Sequence, residues 1–258
     1  VLRAGGRMPD AAMVQSDYLP ELTSIRALQP VDNPVPVVSG LSGESSFLVD
    51  ERLMASPFYF DSQVVIINPA VYPEGALEQA VSGEWDLDDL ERAARSMKME
   101  GVDPFCWNAY SAYWLVAFQY GFGKERLIEP DGRILMSDKP TVDAVTYLLE
   151  LQEKGFLRVN ERDAMISIFL RSDVGAILTG SYSIPSFEKT GVDFVVAPYP
   201  LHPSGKPVAP VLDYKGFAIP RKARNPILAR RLIQYLSNPG VQIRFTQALS
   251  KLPARNDV

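Results

Sequence analysis

The clearest pattern of hydrophobic and polar positions lies in the second half of the chain, from Val174 to Ala197. Val174–Thr179 is an apolar run without a charge, which predicts a strand buried on both faces. A small polar loop follows, and Ser183 with Pro185 marks a helix start. A second apolar run, Val192–Ala197, predicts another strand. A strand, a crossover and a strand favour a parallel α/β sheet, with Tyr182 beyond the carboxyl end of the first strand. The alternative for this tyrosine is a half-buried loop residue.

The same patterns predict further elements along the chain. Strands are expected at Pro9–Val14, Gln63–Ile67 and Gly216–Ile219. Helices are expected at Leu19–Ala27, Pro73–Ser82, Glu84–Met97, Ser111–Tyr120, Thr141–Lys154, Pro226–Leu236 and Val241–Ala248. The clearest amphipathic helix is Thr141–Lys154, whose apolar side is expected to carry Val142, Val145, Leu148, Leu149 and Leu151.

Composition narrows the class of protein. The 258 residues are 47% hydrophobic and 22% charged, as in a globular chain with one large or two small cores. A net charge of −5 argues against nucleic-acid binding, and the basic run Arg221–Arg231 is interpreted as a solvated helix face. The apolar stretches are far shorter than the ~20 residues that span a bilayer, so no membrane-spanning segment is expected. Val1–Gly6 is interpreted as the end of a helix, and no signal peptide is expected.

Few residues could support catalysis or metal binding. Cys106 is the single cysteine, which excludes an internal disulfide. His202 is the single histidine, which leaves neither a multi-histidine metal site nor a histidine-assisted nucleophile. We therefore expect no cofactor and no metal.

Six segments in order carry a family resemblance. They are GGRMPDAAMVQSDYLPEL, MASPFYFDSQVVIINPAVY, GEWDLDDLERAARSM, SDKPTVDAVTYLLELQEKG, DVGAILTGSY and VLDYKGFAIPRKARNPILARRLIQYLSNPGVQ. No segment is a strict motif, but together they resemble the extracytoplasmic solute-binding proteins of ABC importers. The resemblance is to the sugar-binding branch, which includes the maltose-binding and maltodextrin-binding proteins, and it covers nearly the whole chain.

The resemblance implies an α/β fold of the type II periplasmic-binding-protein class, with two lobes and a ligand cleft between them. Lobe 1 would take residues 1–60 and 216–258, and lobe 2 residues 62–215. The expected ligand is a mono- or oligosaccharide captured by lobe closure, without a cofactor. The expected partners are the membrane permease subunits of the importer, and the expected location is extracytoplasmic, in the periplasm or on a lipid anchor.

The resemblance also implies that the chain is a fragment. Family members begin with a strand–helix–strand unit before the position of Val1 and continue with helices after that of Val258. The strands Ala11–Val14 and Gly216–Ile219 are therefore expected to lack a neighbouring strand. Unpaired strand edges favour association with another chain or segment.

Matching positions suggest candidate sugar-binding residues. Asp17 and Tyr18 lie where the family has an aspartate-containing pair, and Asp61 lies where maltose-binding proteins have an acidic cleft residue. Asp213 lies in the segment Asp213-Tyr214-Lys215, where many members have paired glycines. Val14 replaces a tryptophan of maltose-binding protein, so the subsites are not fully reproduced.

The aromatic candidates come from the second lobe. Tyr113 matches a sugar-stacking tyrosine, with Tyr110 and Trp114 as neighbours, and Tyr182 replaces a stacking tryptophan. Aromatic faces cover the C–H faces of a pyranose, and carboxylates accept hydrogen bonds from its hydroxyls.

Other interpretations of these residues stay open. Asp17 could be a helix cap, and the spacing of Tyr110, Tyr113 and Trp114 also suits a buried helix face. Asp17 and Asp61 as an acid/base pair would make the protein a glycan-acting enzyme. A binding module for a peptide, a polyamine or a metal ion is a third class.

Overall fold

The computed structural model describes residues 8–31, 41–129 and 131–258, so the helix end predicted at Val1–Gly6 lies outside the described residues. The chain divides into two compact units. Unit 1 comprises Val1–Asp61 and Leu212–Val258, and unit 2 comprises Ser62–Val211. Each unit has hydrophobic clusters of its own.

The described residues form strands and helices in mixed order. The strands are β1 (Ala12–Gln15), β2 (Leu28–Gln29), β3 (Leu48–Val49), β4 (Arg52–Leu53), β5 (Ala55–Ile67), β6 (Asp103–Trp107), β7 (Leu157–Val159), β8 (Val174–Gly180), β9 (Val195–Ala197), β10 (Leu212–Pro220) and β11 (Leu252–Pro253). The helices are α1 (Leu19–Ser24), α2 (Glu74–Ser82), α3 (Leu87–Met99), α4 (Ala112–Gly121), α5 (Lys139–Glu153), α6 (Arg162–Leu170), α7 (Ile184–Glu188), α8 (Pro226–Leu236) and α9 (Pro239–Leu249). None of these helices combines the length and apolar character needed to cross a membrane.

In unit 1 the strand β10 lies between β1 and the first part of β5. The pairing of β1 with β10 is antiparallel, with Ala12 opposite Ala218 and Val14 opposite Gly216. The expectation that both strands lack a neighbour is therefore wrong, because they pair with each other. Among the described residues, however, β1 has a partner on one side only, which leaves one unpaired strand edge, as expected. The short strand β11 returns to β5 and places Leu252 opposite Phe60.

In unit 2 the second part of β5 lies between β8 and β9. Val65 pairs with Leu178 on one side and with Ala197 on the other, and both pairings are antiparallel. The run Val174–Thr179 is a fully buried strand, as predicted. The two predicted strands β8 and β9 are not neighbours, because β5, from an earlier part of the chain, lies between them and is antiparallel to both. Parallel pairing occurs instead between β6 and its neighbours β7 and β8.

The helix predicted at Thr141–Lys154 forms as α5, but its buried face differs from the prediction. Val142, Val145 and Leu149 are exposed to 53%, 37% and 47%. The buried face instead includes Thr141 and Ala144, each of which is one residue before a valine that was predicted to be buried. The Thr141 hydroxyl accepts hydrogen bonds from buried side chains of α4 and its C-terminal loop, so this polar residue is buried with its hydrogen bonds satisfied.

Candidate functional site

Unit 1 contains an open groove of about 890 Å³, which we call the unit 1 groove. Its lining is Pro9, Ala12, Met13, Val14, Gln15, Tyr18, Glu21, Leu22, Tyr59 and Lys215. Residues of β1 and of the turn and helix after it form one side. Tyr59 on β5 and Lys215 on β10 complete it, and Lys215 lies opposite Gln15 in the antiparallel pairing.

Strand alternation explains which side chains reach the groove. Successive residues of a strand point to opposite faces, so Tyr59 and Asp61 share one face of β5 and Phe60 takes the other. Phe60 packs against Tyr214, with ring centroids 5.1 Å apart, in a hydrophobic cluster of unit 1. Tyr59 and Asp61 therefore lie on the opposite face of β5 from this cluster.

A group of four charged residues, the charge cluster, surrounds Asp61. It comprises Asp61, Asp213, Lys215 and Lys251. The Asp61 carboxylate is 3% exposed and accepts hydrogen bonds from Lys215 Nζ at 2.9 Å and Lys251 Nζ at 2.8 Å. Lys215 Nζ also donates to the Asp213 carboxylate at 2.6 Å and to its backbone oxygen at 3.1 Å. Two carboxylates and two ammonium groups make the cluster neutral.

Electrostatics favour the ionised forms of Asp61 and Lys215. Burial acts to raise the pKa of Asp61, but hydrogen bonds from Lys251 and Lys215 outweigh it and lower that pKa. Burial acts to lower the pKa of Lys215, but the hydrogen bonds that it donates to Asp213 and Asp61 raise it. Both ammonium groups also lie over the Tyr59 ring, at 5.6 and 5.5 Å from its centroid, within the range of cation–π attraction.

The candidates in unit 1 therefore differ in their surroundings. Tyr18 is 53% exposed and lines the unit 1 groove. Asp17 is exposed, and it does not cap the following helix, because the N-cap of α1 is Tyr18 and no side chain bonds there. Asp61 and Asp213 belong to the charge cluster. Asp61 already binds two lysines, so it is a support for the groove rather than an open acceptor.

Unit 2 contains a smaller site of about 210 Å³, the unit 2 pocket. Its lining is Asn108, Tyr113, Trp114, Asn160, Glu161, Arg162, Met165, Leu178, Thr179 and Tyr182. Asn108 follows β6, Asn160 follows β7 and Tyr182 follows β8. Because these three strands are parallel, their carboxyl ends meet at one edge of the sheet, where α/β folds place ligands.

Contacts inside the unit 2 pocket fix its polar and aromatic groups. The Asn108 amide donates to both oxygens of the Glu161 carboxylate, at 3.1 Å each. The Arg162 guanidinium lies over the Tyr182 ring, 5.7 Å from its centroid. Tyr113 and Trp114 meet edge to face with centroids 4.9 Å apart. The pocket thus combines aromatic rings with an amide, a carboxylate and a guanidinium.

Three of the four aromatic candidates in unit 2 lie together in this pocket: Tyr113, Trp114 and Tyr182. Tyr110 lies elsewhere. It is 71% exposed, its hydroxyl donates to Gln152 at 3.0 Å, and it lines a separate groove of about 190 Å³ against α5. It was named as a candidate only because it is a sequence neighbour of Tyr113.

Sequence reasoning missed several residues of both sites. They are Gln15, Tyr59, Lys215, Lys251, Asn108, Glu161 and Arg162. Tyr59 had a local signal, because it lies two positions before Asp61 on the same strand face. The two lysines had no local sequence signal that links them to Asp61, since Lys215 and Lys251 are 154 and 190 positions away from it.

Comparison with known proteins assigns the class. A family model described as bacterial extracellular solute-binding protein matches residues 2–258. The chain belongs to this family, and its fold is that of the type II periplasmic binding proteins.

Individual relatives are sugar binders by name. The chain is 28% identical over 219 residues to the maltodextrin-binding protein MdxE of Bacillus subtilis, covering 80% of this chain and 51% of the relative. This chain therefore spans about half the length of that relative. A maltotriose-binding protein of Thermus thermophilus, solved with maltotriose, superposes with a TM-score of 0.74 at 21% identity, covering 96% of this chain and 68% of the other. MalE of Listeria monocytogenes, solved with maltose, gives 0.79 at 18% identity, with 96% and 66% covered.

Proposed function

We propose that the protein captures a carbohydrate, specifically an oligosaccharide of the maltodextrin type, for an ABC importer. Family membership and the named ligands of the relatives support this substrate class. The proposal includes an extracytoplasmic location and delivery of the sugar to membrane permease subunits. It excludes a catalytic role.

The observation that carries the proposal is the composition of the unit 2 pocket. Tyr113, Trp114 and Tyr182 offer aromatic faces and edges, and Tyr182 is 36% exposed. The C–H faces of a pyranose are apolar and pack on such rings, while its hydroxyls need donors and acceptors at the rim. Asn108 and Glu161 supply both kinds of polar group.

In unit 1 we assign the sugar contacts to groove residues rather than to Asp61. Tyr18 and Tyr59 offer aromatic surface, and the Gln15 amide offers hydrogen bonds to hydroxyls. Asp61 is given the role of a positioning residue, because its two oxygens hold the ammonium groups of the lysines. This refines the expectation that Asp61 contacts the sugar directly.

The properties of Asp61 also favour binding over hydrolysis. A glycosidic general acid needs a raised pKa so that it carries a proton near neutral pH. The pKa of Asp61 is lowered, and the two ammonium groups stabilise its ionised form. A carboxylate in these surroundings is a poor proton donor.

A thermal-shift screen tests the substrate class. Maltose, maltotriose and maltotetraose are compared with cellobiose, putrescine and a short peptide at equal concentrations. A ligand that binds only the folded state raises the melting temperature by mass action. We expect an upward shift with the α-linked sugars. A shift with putrescine or the peptide alone would contradict the proposal.

The same samples separate a binder from an enzyme. Each sugar is recovered after overnight incubation and analysed by chromatography. Unchanged sugar is the expected result, since the lowered pKa of Asp61 makes it a poor proton donor. Shorter products that require the folded protein would overturn the binding role.

A further inference from the structure

The last residue of β8, Gly180, has an ordinary backbone conformation. Its φ of −90° and ψ of 150° are those of an extended strand, which any amino acid adopts. Glycine is therefore not required here to make a turn. Glycine in a strand loses more conformational freedom on folding than other residues do, and the backbone conformation at this position does not explain why that cost is accepted.

The space beside Gly180 explains the glycine. A Cβ atom built at this position would lie 2.0 Å from Cε1 of Tyr182, 2.5 Å from Cδ1 and 2.7 Å from Cζ. Carbon atoms in contact are about 3.5–4 Å apart. The Tyr182 ring thus occupies the volume that the side chain of any other residue would need.

The loop around Tyr182 is held in place by buried hydrogen bonds. The backbone N–H of Ser62 donates to the Ser181 hydroxyl at 3.0 Å, and the hydroxyls of Thr179 and Ser183 are 3.0 Å apart. Ser181 and Ser183 are both buried. Because these contacts fix the residues on either side of Tyr182, a clash at Gly180 is relieved most easily by rotation of the ring.

We infer that Gly180 is a positioning residue for sugar binding: its missing side chain forms the notch that holds the Tyr182 ring in the unit 2 pocket. The inference rests on the proposed function, because it gives Tyr182 the role of a sugar platform. With a side chain at position 180, the ring leaves the notch and its place beside Arg162. The strand itself tolerates the change.

A double-mutant cycle tests this role. Sugar affinity is measured by calorimetry for the unaltered protein, Gly180→Ala, Tyr182→Ala and the double variant, with maltotriose as the probe. We expect Gly180→Ala to weaken binding at least tenfold in the presence of Tyr182. In the Tyr182→Ala background it should change affinity less than twofold, because the ring that meets the new Cβ is absent.

Gly75→Ala is the matched control. Gly75 lies in α2, and a Cβ atom there meets nothing within 4 Å. Alanine is also the better helix former, so this variant should keep both its affinity and its melting temperature. Equal weakening by Gly180→Ala in both backgrounds, or no weakening in either, would overturn the inference.

A measurement made without sugar distinguishes a failure of this inference from a failure of the proposed function. In protein labelled with ¹³C-tyrosine, the Tyr182 ring signal is assigned by its loss in Tyr182→Ala. We expect this signal to move in Gly180→Ala and to stay in place in Gly75→Ala. A moved signal in a protein that binds no maltotriose would refute the proposed function and support the notch. An unmoved signal would refute the notch.

Discussion

The unit 1 groove and the unit 2 pocket hold their functional side chains in different ways. In the groove, Lys215 is fixed by the charge cluster, whose two carboxylates and two ammonium groups come from distant parts of the chain. In the pocket, Asn108, Asn160 and Tyr182 follow the ends of three parallel strands, and the Tyr182 ring lies between the Arg162 guanidinium and the glycine notch. The comparison teaches that the positions of the functional side chains depend on ionised groups in unit 1 and on the fit of the Tyr182 ring in unit 2.

The largest expected effect is therefore a loss of stability in unit 1. Asp61→Ala leaves two partly buried lysines without their shared partner. Breaking a buried ion pair by removing one member costs about 3–5 kcal/mol. We expect a lower free energy of unfolding in urea, by an amount in that range. Asp17→Ala, an exposed carboxylate in the same unit, should change it by less than about 0.5 kcal/mol. Equal effects of the two would show that the cluster is not stabilising.

Acid should weaken the same cluster. The pKa of Asp61 is lower in the folded protein than in the unfolded chain, where it is about 4. Its contribution to stability is thus present above the unfolded pKa and is lost as the pH falls through the folded pKa. We expect the urea midpoint to fall below pH 4 more steeply in the unaltered protein than in Asp61→Asn. Parallel curves would contradict the assignment.

A middle-sized effect is expected in unit 2, on binding rather than folding. Tyr182→Ala should weaken maltotriose binding by about 1–3 kcal/mol, the cost of truncating an aromatic contact residue. The melting temperature should change little, because the side chain is partly exposed. Tyr110→Ala is the control, since Tyr110 lies outside the unit 2 pocket. If Tyr182→Ala unfolds the protein while its remaining affinity is normal, Tyr182 is a structural residue.

The two regions also differ in how far the sequence predicts them. The strand β8 and the helix α8 were predicted from local patterns, because an uninterrupted apolar run and a proline at a helix start are signals within a few residues. The clustering of Tyr113 and Tyr182 needed the family resemblance. The position of Asp61 came from the same resemblance.

The remaining features depend on contacts between distant residues. Asp61 was expected to face a sugar, yet its partners are lysines from the other segment of unit 1, which no local pattern reveals. Thr141 was not predicted on the buried face of α5, where Gln119 and Lys124 donate hydrogen bonds to its hydroxyl. The strand between β8 and β9 came from a much earlier part of the chain. The hydrogen-bond partners of buried polar groups and the order of strands in a sheet are determined by the whole fold, not by local sequence.

The smallest expected effect compares one hydroxyl from each unit. The Tyr214 hydroxyl in unit 1 is 2.6 Å from that of Ser42. The buried Tyr147 hydroxyl in unit 2 has no hydrogen-bond partner among the described residues, and burial raises its pKa. A satisfied hydrogen bond contributes about 0.5–1.5 kcal/mol, whereas an unsatisfied buried hydroxyl costs free energy.

Tyrosine-to-phenylalanine variants at these positions measure that difference directly. Tyr214→Phe should lower the free energy of unfolding by about 1 kcal/mol, because the Ser42 hydroxyl loses its bond as well. Tyr147→Phe removes only the unpaired group and keeps the ring against Phe122, so stability should stay equal or rise. Urea unfolding of both variants decides the matter. A loss at Tyr147 as large as that at Tyr214 would mean that a bound water satisfies the hydroxyl of unit 2, and the two units would then not differ in this respect.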